Sequence, residues 1–223
     1  KGKFEWAIDY YKSMAKKLNI TMKLGKEVTA QEVLALKPYS ILVATGSNVI
    51  SIPLEGLDQV QTVQAHDVLA NDMQFANKKV VVIGGGITGL ETALYINRQG
   101  TNQVSVVDML PEWPVDMLDM RYQNEALLEV RHCNDQGVAL FYNNKVVKFA
   151  DGKLFIESTK DGEVKELPAD VIVLSVGVKP NDALWQELLA SGHPSVWKAG
   201  DAIATGKINK AVLHGSKFGY SLN

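Results

Sequence analysis

Residues 79–108, KVVVIGGGITGLETALYINRQGTNQVSVVD, constrain this chain more than any other stretch: they read as a strand, a glycine turn, a helix and a second strand ending in an acid. The apolar run Lys79–Ile83 leads into Gly84-Gly85-Gly86-Ile87-Thr88-Gly89, a G-x-G-x-x-G. Gly84 permits the tight turn, Gly86 lets a pyrophosphate approach the backbone, and Gly89 allows close packing of helix on strand. The helix beginning near Ile87 aims its free N–H groups and the positive end of its dipole at the phosphates. Asp108 ends the run Val104–Val107, 22 residues after Gly86, where a carboxylate accepts both hydroxyls of an adenosine ribose. This pattern predicts a dinucleotide site.

A glycine-rich turn that binds nothing is the competing reading of any single G-x-G-x-x-G. Here the strand, the spacing, the helix and the acid agree. The acid also selects the cofactor: a 2′-phosphate would sit beside Asp108 with no basic residue in Met109, Leu110 or Pro111 to receive it. NAD(H) is therefore expected over NADP(H), with Met109 beside the ribose.

The chain has 223 residues, 46% hydrophobic and 22% charged, which fits a globular protein of one large domain or two small ones. A net charge of −2 gives no electrostatic footprint for nucleic acid. No apolar run approaches the roughly 20 residues of a membrane span. The first residues, KGKFEWAIDYYKSM, carry no signal-peptide core, so a soluble, cytoplasmic protein is expected. A lone cysteine, Cys133, excludes an internal disulfide, a C-x-x-C pair or a cysteine-ligated cluster within this chain, so redox work needs a bound cofactor. His132 adjoins Cys133, but neighbours on a helix point apart, which disfavours a nucleophile pair. His66, His193 and His214 lack metal-ligand spacing, and no metal site is expected.

Helical spacing of Phe4, Ile8, Tyr11, Ala15 and Leu18 predicts an amphipathic helix over 3–18, and Ile20–Leu24 alternates as a strand. Thr29 and Glu32 form a capping box for a short helix Ala30–Leu36, before a buried strand Tyr39–Ala44. Residues 53–78, with Pro53, Gly56, Asn71 and Asp72, read as a linker. After Asp108 a helix is expected over 119–133, then strands Val138–Tyr142, Lys145–Phe149, Leu154–Ser158, Glu163–Leu167 and Val171–Val176. The turns Asp151-Gly152 and Asp161-Gly162 make the middle three an antiparallel appendage, and Gly177, Pro180 and Asn181 end the last strand. Asp182–Ala190 reads as a helix, Ser195–Ala199 as a strand and Lys210–Tyr220 as a closing helix.

Three signposts stand in order: Val43-Ala44-Thr45-Gly46, the Gly84–Glu91 fingerprint, and Trp197-Lys198-Ala199-Gly200-Asp201-Ala202. Together they resemble the two-dinucleotide-domain flavoproteins of the pyridine nucleotide–disulfide oxidoreductase superfamily. The segments VTAQEVLALKPYSILVATGSNV and VSVVDMLPEW are most similar to the C-terminal part of NADH:flavin oxidoreductases related to 2,4-dienoyl-CoA reductase, the Old Yellow Enzyme-like group. The resemblance implies an α/β, Rossmann-like FAD/NAD(P)-binding fold. Residues 79–178 would be a complete NAD domain with its antiparallel appendage, and 1–52 with 179–223 an incomplete FAD domain.

By the same resemblance, Ala44, Thr45 and Gly46 would lie beside the flavin, and Asp201, after Gly200, would bond its ribityl or pyrophosphate. The helix carrying Ala211 would point its N-terminus at the isoalloxazine. Glu91 would be a catalytic residue on the nicotinamide side, and Gly177 would border the NAD site. Alone, Thr45-Gly46 and Gly200-Asp201 are ordinary turns, and Glu91 is an ordinary partner for a helix dipole. Trp113, Trp185 and Trp197 read as packing residues rather than a stacking platform.

The chain contains no glycine fingerprint for the adenosine half of FAD, no barrel for FMN and substrate, and no cysteines for a 4Fe-4S cluster. It therefore reads as a fragment, inactive by itself and partnered by an absent N-terminal FMN/substrate domain, with a homo-oligomer as another outcome. In a complete relative, electrons would pass from NADH through FAD, the cluster and FMN to an unsaturated substrate. A non-catalytic module holding NAD or ADP is the alternative function.

Overall fold

The structure, a computed structural model, describes residues 3–111 and 120–222. Along the chain run α1 (Lys3–Lys17), α2 (Ala30–Ala35), β1 (Ile41–Val43), β2 (Ser47–Val49), β3 (Gln61–Gln64) and α3 (Ala65–Ala70). Next come β4 (Lys79–Ile83), α4 (Ile87–Asn97), β5 (Gln103–Val107), α5 (Met120–Asp135) and β6 (Ala139–Phe141). The order ends with β7 (Asn144–Ala150), β8 (Lys153–Ser158), β9 (Val164–Pro168), β10 (Val171–Leu174), β11 (Val178–Pro180), α6 (Ala183–Ala190), β12 (Val196–Lys198) and α7 (Ile208–Ser221). The chain divides into two compact units, the larger spanning Gly46–Asn181 and the smaller combining the residues up to Thr45 with Asp182–Ile203 and α7.

In the larger unit five parallel strands stand in the order β3-β10-β4-β5-β6. Successive residues of a strand face opposite sides, and both sides are covered, which is why β4 and β10 read as unbroken apolar runs. Val80, Val82, Val104, Val106, Val171 and Val173 pack with Val68 of α3, Leu90 and Ile96 of α4, and Cys133 of α5. Val81, Ile83, Val107, Ile172 and Leu174 face the other way, onto Phe149, Leu154 and Ile156 of the antiparallel sheet β7-β8-β9. The expected appendage is thus one whole layer of the unit. The turns at Asp151-Gly152 and Gly162 take the positive φ angles that their residues favour.

Several expectations need correction. Residues 53–78, read as a linker, contain β3 and α3. Val63 packs partly buried on the core and Val68 is fully enclosed, because β3 extends the sheet beside β10. The pattern is too short to show a period, so only pairing reveals it. β2 and β11 also escaped notice: three residues each, they pair antiparallel as Val49↔Val178 through Ser47↔Pro180. The helix expected over 119–133 is seen as Met120–Asp135; residue 119 lies outside the described residues.

In the smaller unit β1 and β12 pair in parallel, Ile41 opposite Val196 and Val43 opposite Lys198. Ile41, Val43 and Leu188 form its core with Val33, Leu34, Leu184 and Trp185 packed on them. Both halves of the capping box at α2 are present, and hydrogen bonds from Lys26 and from the Thr29 backbone hold the Glu32 carboxyl below the usual carboxylate range. Lys198 Nζ bonds Asp182 Oδ2 at 3.0 Å and stands 4.1 Å from the Trp185 ring centre, fixing the start of α6 to β12. That ammonium lowers the Asp182 pKa. Ile20–Leu24 is not a strand: Ile20, Met22 and Leu24 are exposed, and alternation makes a strand only where an edge offers hydrogen bonds. The stripe of α1 is likewise exposed, with Tyr11 at 61%.

Candidate functional site

β4 is the strand at which the strand order reverses. From it the chain proceeds through α4 to β5 and then β6 on one side, while β10 returns on the other. In open parallel sheets the crevice beyond the carboxyl ends of such strands is where ligands bind. The glycine turn occupies that place.

Two glycines of the turn are required by the packing, and the third is not. Gly84 has φ +108°, and a Cβ there would stand 2.2 Å from the carbonyl oxygen of Ser175, so the exits of β4 and β10 touch. A Cβ on Gly89 would stand 1.9 Å from the Gly84 carbonyl oxygen. Gly86 differs: its φ of −70° suits any residue, and a Cβ on it would meet nothing within 4 Å. It is the N-cap of α4, a position where Ser, Asp or Asn would supply a capping oxygen, and no side chain caps this helix. The first N–H groups of α4, at Ile87, Thr88 and Gly89, therefore lie at an open helix end, the arrangement that binds a phosphate pair.

Asp108 faces the same turn. Its Oδ2 accepts from the Gly85 N–H at 2.6 Å and its Oδ1 from the Leu110 N–H at 2.8 Å. Each carboxylate oxygen has a second lone pair, so two acceptor positions remain for ribose hydroxyls on a group the backbone already orients. Met109 is exposed beside it. Gly177 lies two residues beyond Ser175 with φ +94°, its carbonyl accepting from Ile50 N at 3.1 Å where β10 gives way to β11. The structure thus gathers Gly84–Gly89, Asp108 and the segment before Gly177 at one end of the sheet. Glu91 sits half-buried in the second turn of α4, and the first turn holds no acid.

The signposts in the smaller unit also converge. Ala44 and Thr45 follow β1 and Gly200 follows β12, adjacent strands whose exits are tied by Ala199 N donating to Val43 O at 2.9 Å. Gly200 has φ +61°, and a Cβ on it would stand 3.4 Å from Ala211 Cβ, so that turn rests against the first turns of α7. Asp201 follows at this junction, half-buried. Gly46, with φ +74°, opens the larger unit, its carbonyl accepting from Asn181 N at 3.0 Å.

Sequence reading missed His214, whose Nδ1 accepts from the Gly200 N–H at 3.2 Å. It also missed Tyr142, whose ring packs on Gly85. Both act through contacts distant in sequence, though the Asn143-Asn144 pair after Tyr142 is itself a turn signal. Cys133 is wholly buried, its Sγ 3.9 Å from Leu90 O, while His132 pairs with Glu129 at 3.7 Å. Cys133 serves packing, and His132 lies at the surface. Trp185 packs in the core of the smaller unit, Trp197 meets Phe218 edge-on, and Trp113 lies outside the described residues.

The family model described as pyridine nucleotide-disulphide oxidoreductase matches residues 9–214. The chain belongs to this family. Among its relatives in the pyridine nucleotide-disulphide oxidoreductase family, NADH oxidase of Thermoanaerobacter brockii is 29% identical over 100% of this chain and 34% of its own length. Bilirubin reductase of Mediterraneibacter gnavus is 32% identical over 81% of this chain and 27% of its own. The solved complex of 2-naphthoyl-CoA reductase with 2-naphthoyl-CoA superimposes with a TM-score of 0.81 at 27% identity, over 97% of this chain and 32% of that one. The chain thus spans about a third or less of these proteins. The superfamily and the Rossmann-like fold expected from the three signposts are borne out, and the chain is an oxidoreductase domain of this family. Among the described residues no helix is long and apolar enough to cross a membrane.

Proposed function

We propose that this chain is the NADH-binding portion of a larger flavin-dependent oxidoreductase of the enoate or dienoyl-CoA reductase type. The observation that carries the reading is Gly86: neither its backbone angles nor its packing requires glycine, yet it leaves the head of α4 open at the point where the strand order reverses. A pyrophosphate approaching that backbone supplies the reason.

The residues fit NADH. The N–H groups at the start of α4 hold the pyrophosphate, Asp108 accepts from the adenosine ribose, and Gly177 borders the opposite edge. Glu91 lies on the nicotinamide side. NADH, when bound, supplies the hydride destined for FAD. The chain supplies orientation, so it needs no acid–base triad of its own.

The fit to FAD is partial. Ala44, Thr45, Gly46, Gly200, Asp201 and Ala211 provide strand exits and a helix start suited to the ribityl and ring. The pyrophosphate half requires a glycine turn that the sequence before Gly46 does not contain. FMN, the 4Fe-4S cluster and the substrate belong to a further domain, as one cysteine cannot ligate a cluster. By itself this chain is inactive. A cytoplasmic setting suits its reduced thiol.

Titration with NADH, followed by nicotinamide fluorescence, tests the reading. Saturable binding that includes the nicotinamide supports it. Binding of ADP with equal affinity and no nicotinamide signal would instead support a structural nucleotide module.

A further inference from the structure

The Asp108 loop does not stand alone at the end of β5. Asp108 N donates to Phe141 O at 3.0 Å, Asn144 N to Asp108 O at 2.9 Å, and Asn143 N to Leu110 O at 2.9 Å. The turn after β6 is fixed in its own right: Asn143 holds φ +57°, its carbonyl accepts from Thr159 N at 2.7 Å, and Asn144 Nδ2 donates to Tyr142 O at 2.8 Å. The nucleotide-facing acid is therefore fastened to residues 141–144, and through them to the end of β8. None of these residues belongs to the glycine fingerprint.

Tyr142 completes the arrangement from the side-chain direction. A Cβ built on Gly85 would stand 2.9 Å from Tyr142 Cε1, 3.2 Å from Asp108 Cβ and 3.3 Å from Asp108 Oδ2. The ring and the carboxylate thus share the volume beside Gly85, whose N–H holds Oδ2. We infer that Tyr142 is a positioning residue for nucleotide selectivity: its ring, seated against Gly85, keeps the Asp108 carboxylate in place at the ribose end of the site. A carboxylate able to swing aside would lose its grip on two ribose hydroxyls and would relieve its repulsion of a 2′-phosphate. One held between a backbone N–H and a ring does neither. The preference for NADH over NADPH then depends on the ring as well as on the acid.

The inference rests on the NADH-binding reading, and the experiment separates the two. Wild type, Tyr142→Phe, Tyr142→Ala and Gly85→Ala are titrated with NADH and with NADPH, and folding is followed by circular dichroism. Wild type and Tyr142→Phe are expected to keep a preference for NADH of about tenfold or more. In Tyr142→Ala the preference is expected to fall below about threefold, mainly through weaker NADH binding. Gly85→Ala pushes on the ring and the carboxylate from the opposite side and carries the test should Tyr142→Ala not fold; the same collapse is expected. A general loss of affinity for both nucleotides, with the ratio unchanged, overturns the positioning role. So does an unchanged ratio in both Tyr142→Ala and Gly85→Ala. Wild type that fails to bind NADH overturns the functional reading and this inference together.

Discussion

Gly89 packs so closely on Gly84 that a Cβ on the former would stand 1.9 Å from the carbonyl oxygen of the latter. Strand β4 and helix α4 are joined by only three residues, and this contact sets how near the helix lies to the sheet. Leu90 and Ile96 are fully buried against Val80 and Val82 at that spacing. The lack of a side chain at the third glycine of the fingerprint is therefore a packing requirement.

Gly89→Ala is expected to destabilise the larger unit by roughly 1–3 kcal/mol, because the obstructing atom is backbone and the helix must move outward. Urea denaturation measures it. An unchanged midpoint would mean that α4 has room the structure does not show.

Much of this was legible in advance because the pertinent signals are local. The turn at Gly84–Gly89 announces itself by residue type, and the hairpins at Asp151-Gly152 and Asp161-Gly162 likewise. The capping box of Thr29 and Glu32 forms as the pattern requires. What escaped notice depends on partners far along the chain. β3 exists because Val171–Leu174 offers it an edge, and β2 because Val178–Pro180 does. Ile20–Leu24 has a strand's alternation, yet among the described residues it pairs with nothing. Tyr142 reaches Gly85 across more than fifty intervening residues, and no spacing rule reports such a contact.

Gly86→Val should fold as the wild type does, since φ −70° and ψ 175° suit a branched residue and its Cβ meets nothing within 4 Å. Its side chain fills the space where a pyrophosphate would approach. Loss of NADH binding by at least about a hundredfold, roughly 2.7 kcal/mol, is expected in a titration. Retained affinity in a folded variant would reduce the fingerprint to a turn.

On the proposed reading, in which Asp108 would accept from a ribose diol and repel a 2′-phosphate, wild type should bind NADH at least about tenfold more tightly than NADPH, a difference of roughly 1.4 kcal/mol. Asp108→Asn should narrow that gap. Equal affinities in the wild type would show that the acid serves only its bonds to Gly85 and Leu110.

Burial pushes the Cys133 thiol up to about 11, with Glu129 adding to the rise and Arg98 opposing it. The thiol is therefore neutral in the folded chain near pH 8 and should react with a disulfide reagent only on unfolding. The stabilising preference for the neutral thiol is fully present below its ordinary value of about 9 and is lost as the pH rises through about 11. Rapid labelling of the native protein at pH 8 would contradict the burial.

Purified as it stands, the chain should be colourless, even on the reading that its strand exits belong to a flavin site. Gly200 and Ala211 bring the β12 exit against α7, with Asp201 at the junction, and Ala44 and Thr45 leave the neighbouring strand. On the proposed reading, these exits would meet a ribityl chain and a ring. Phosphate binding demands N–H groups gathered at a glycine turn, and up to Gly46 the sequence offers only Gly2 and the isolated Gly25. Each charge-assisted hydrogen bond forgone costs about 1.5–3 kcal/mol, so losing several turns a micromolar site into a negligible one. The exposed stripe of α1, with Phe4 and Tyr11 at 57% and 61%, leaves apolar surface open to self-association, which sedimentation would reveal alongside. An absorbance scan through the near-ultraviolet and blue decides the main point: a stoichiometric flavin band would show that these strand exits hold the cofactor unaided.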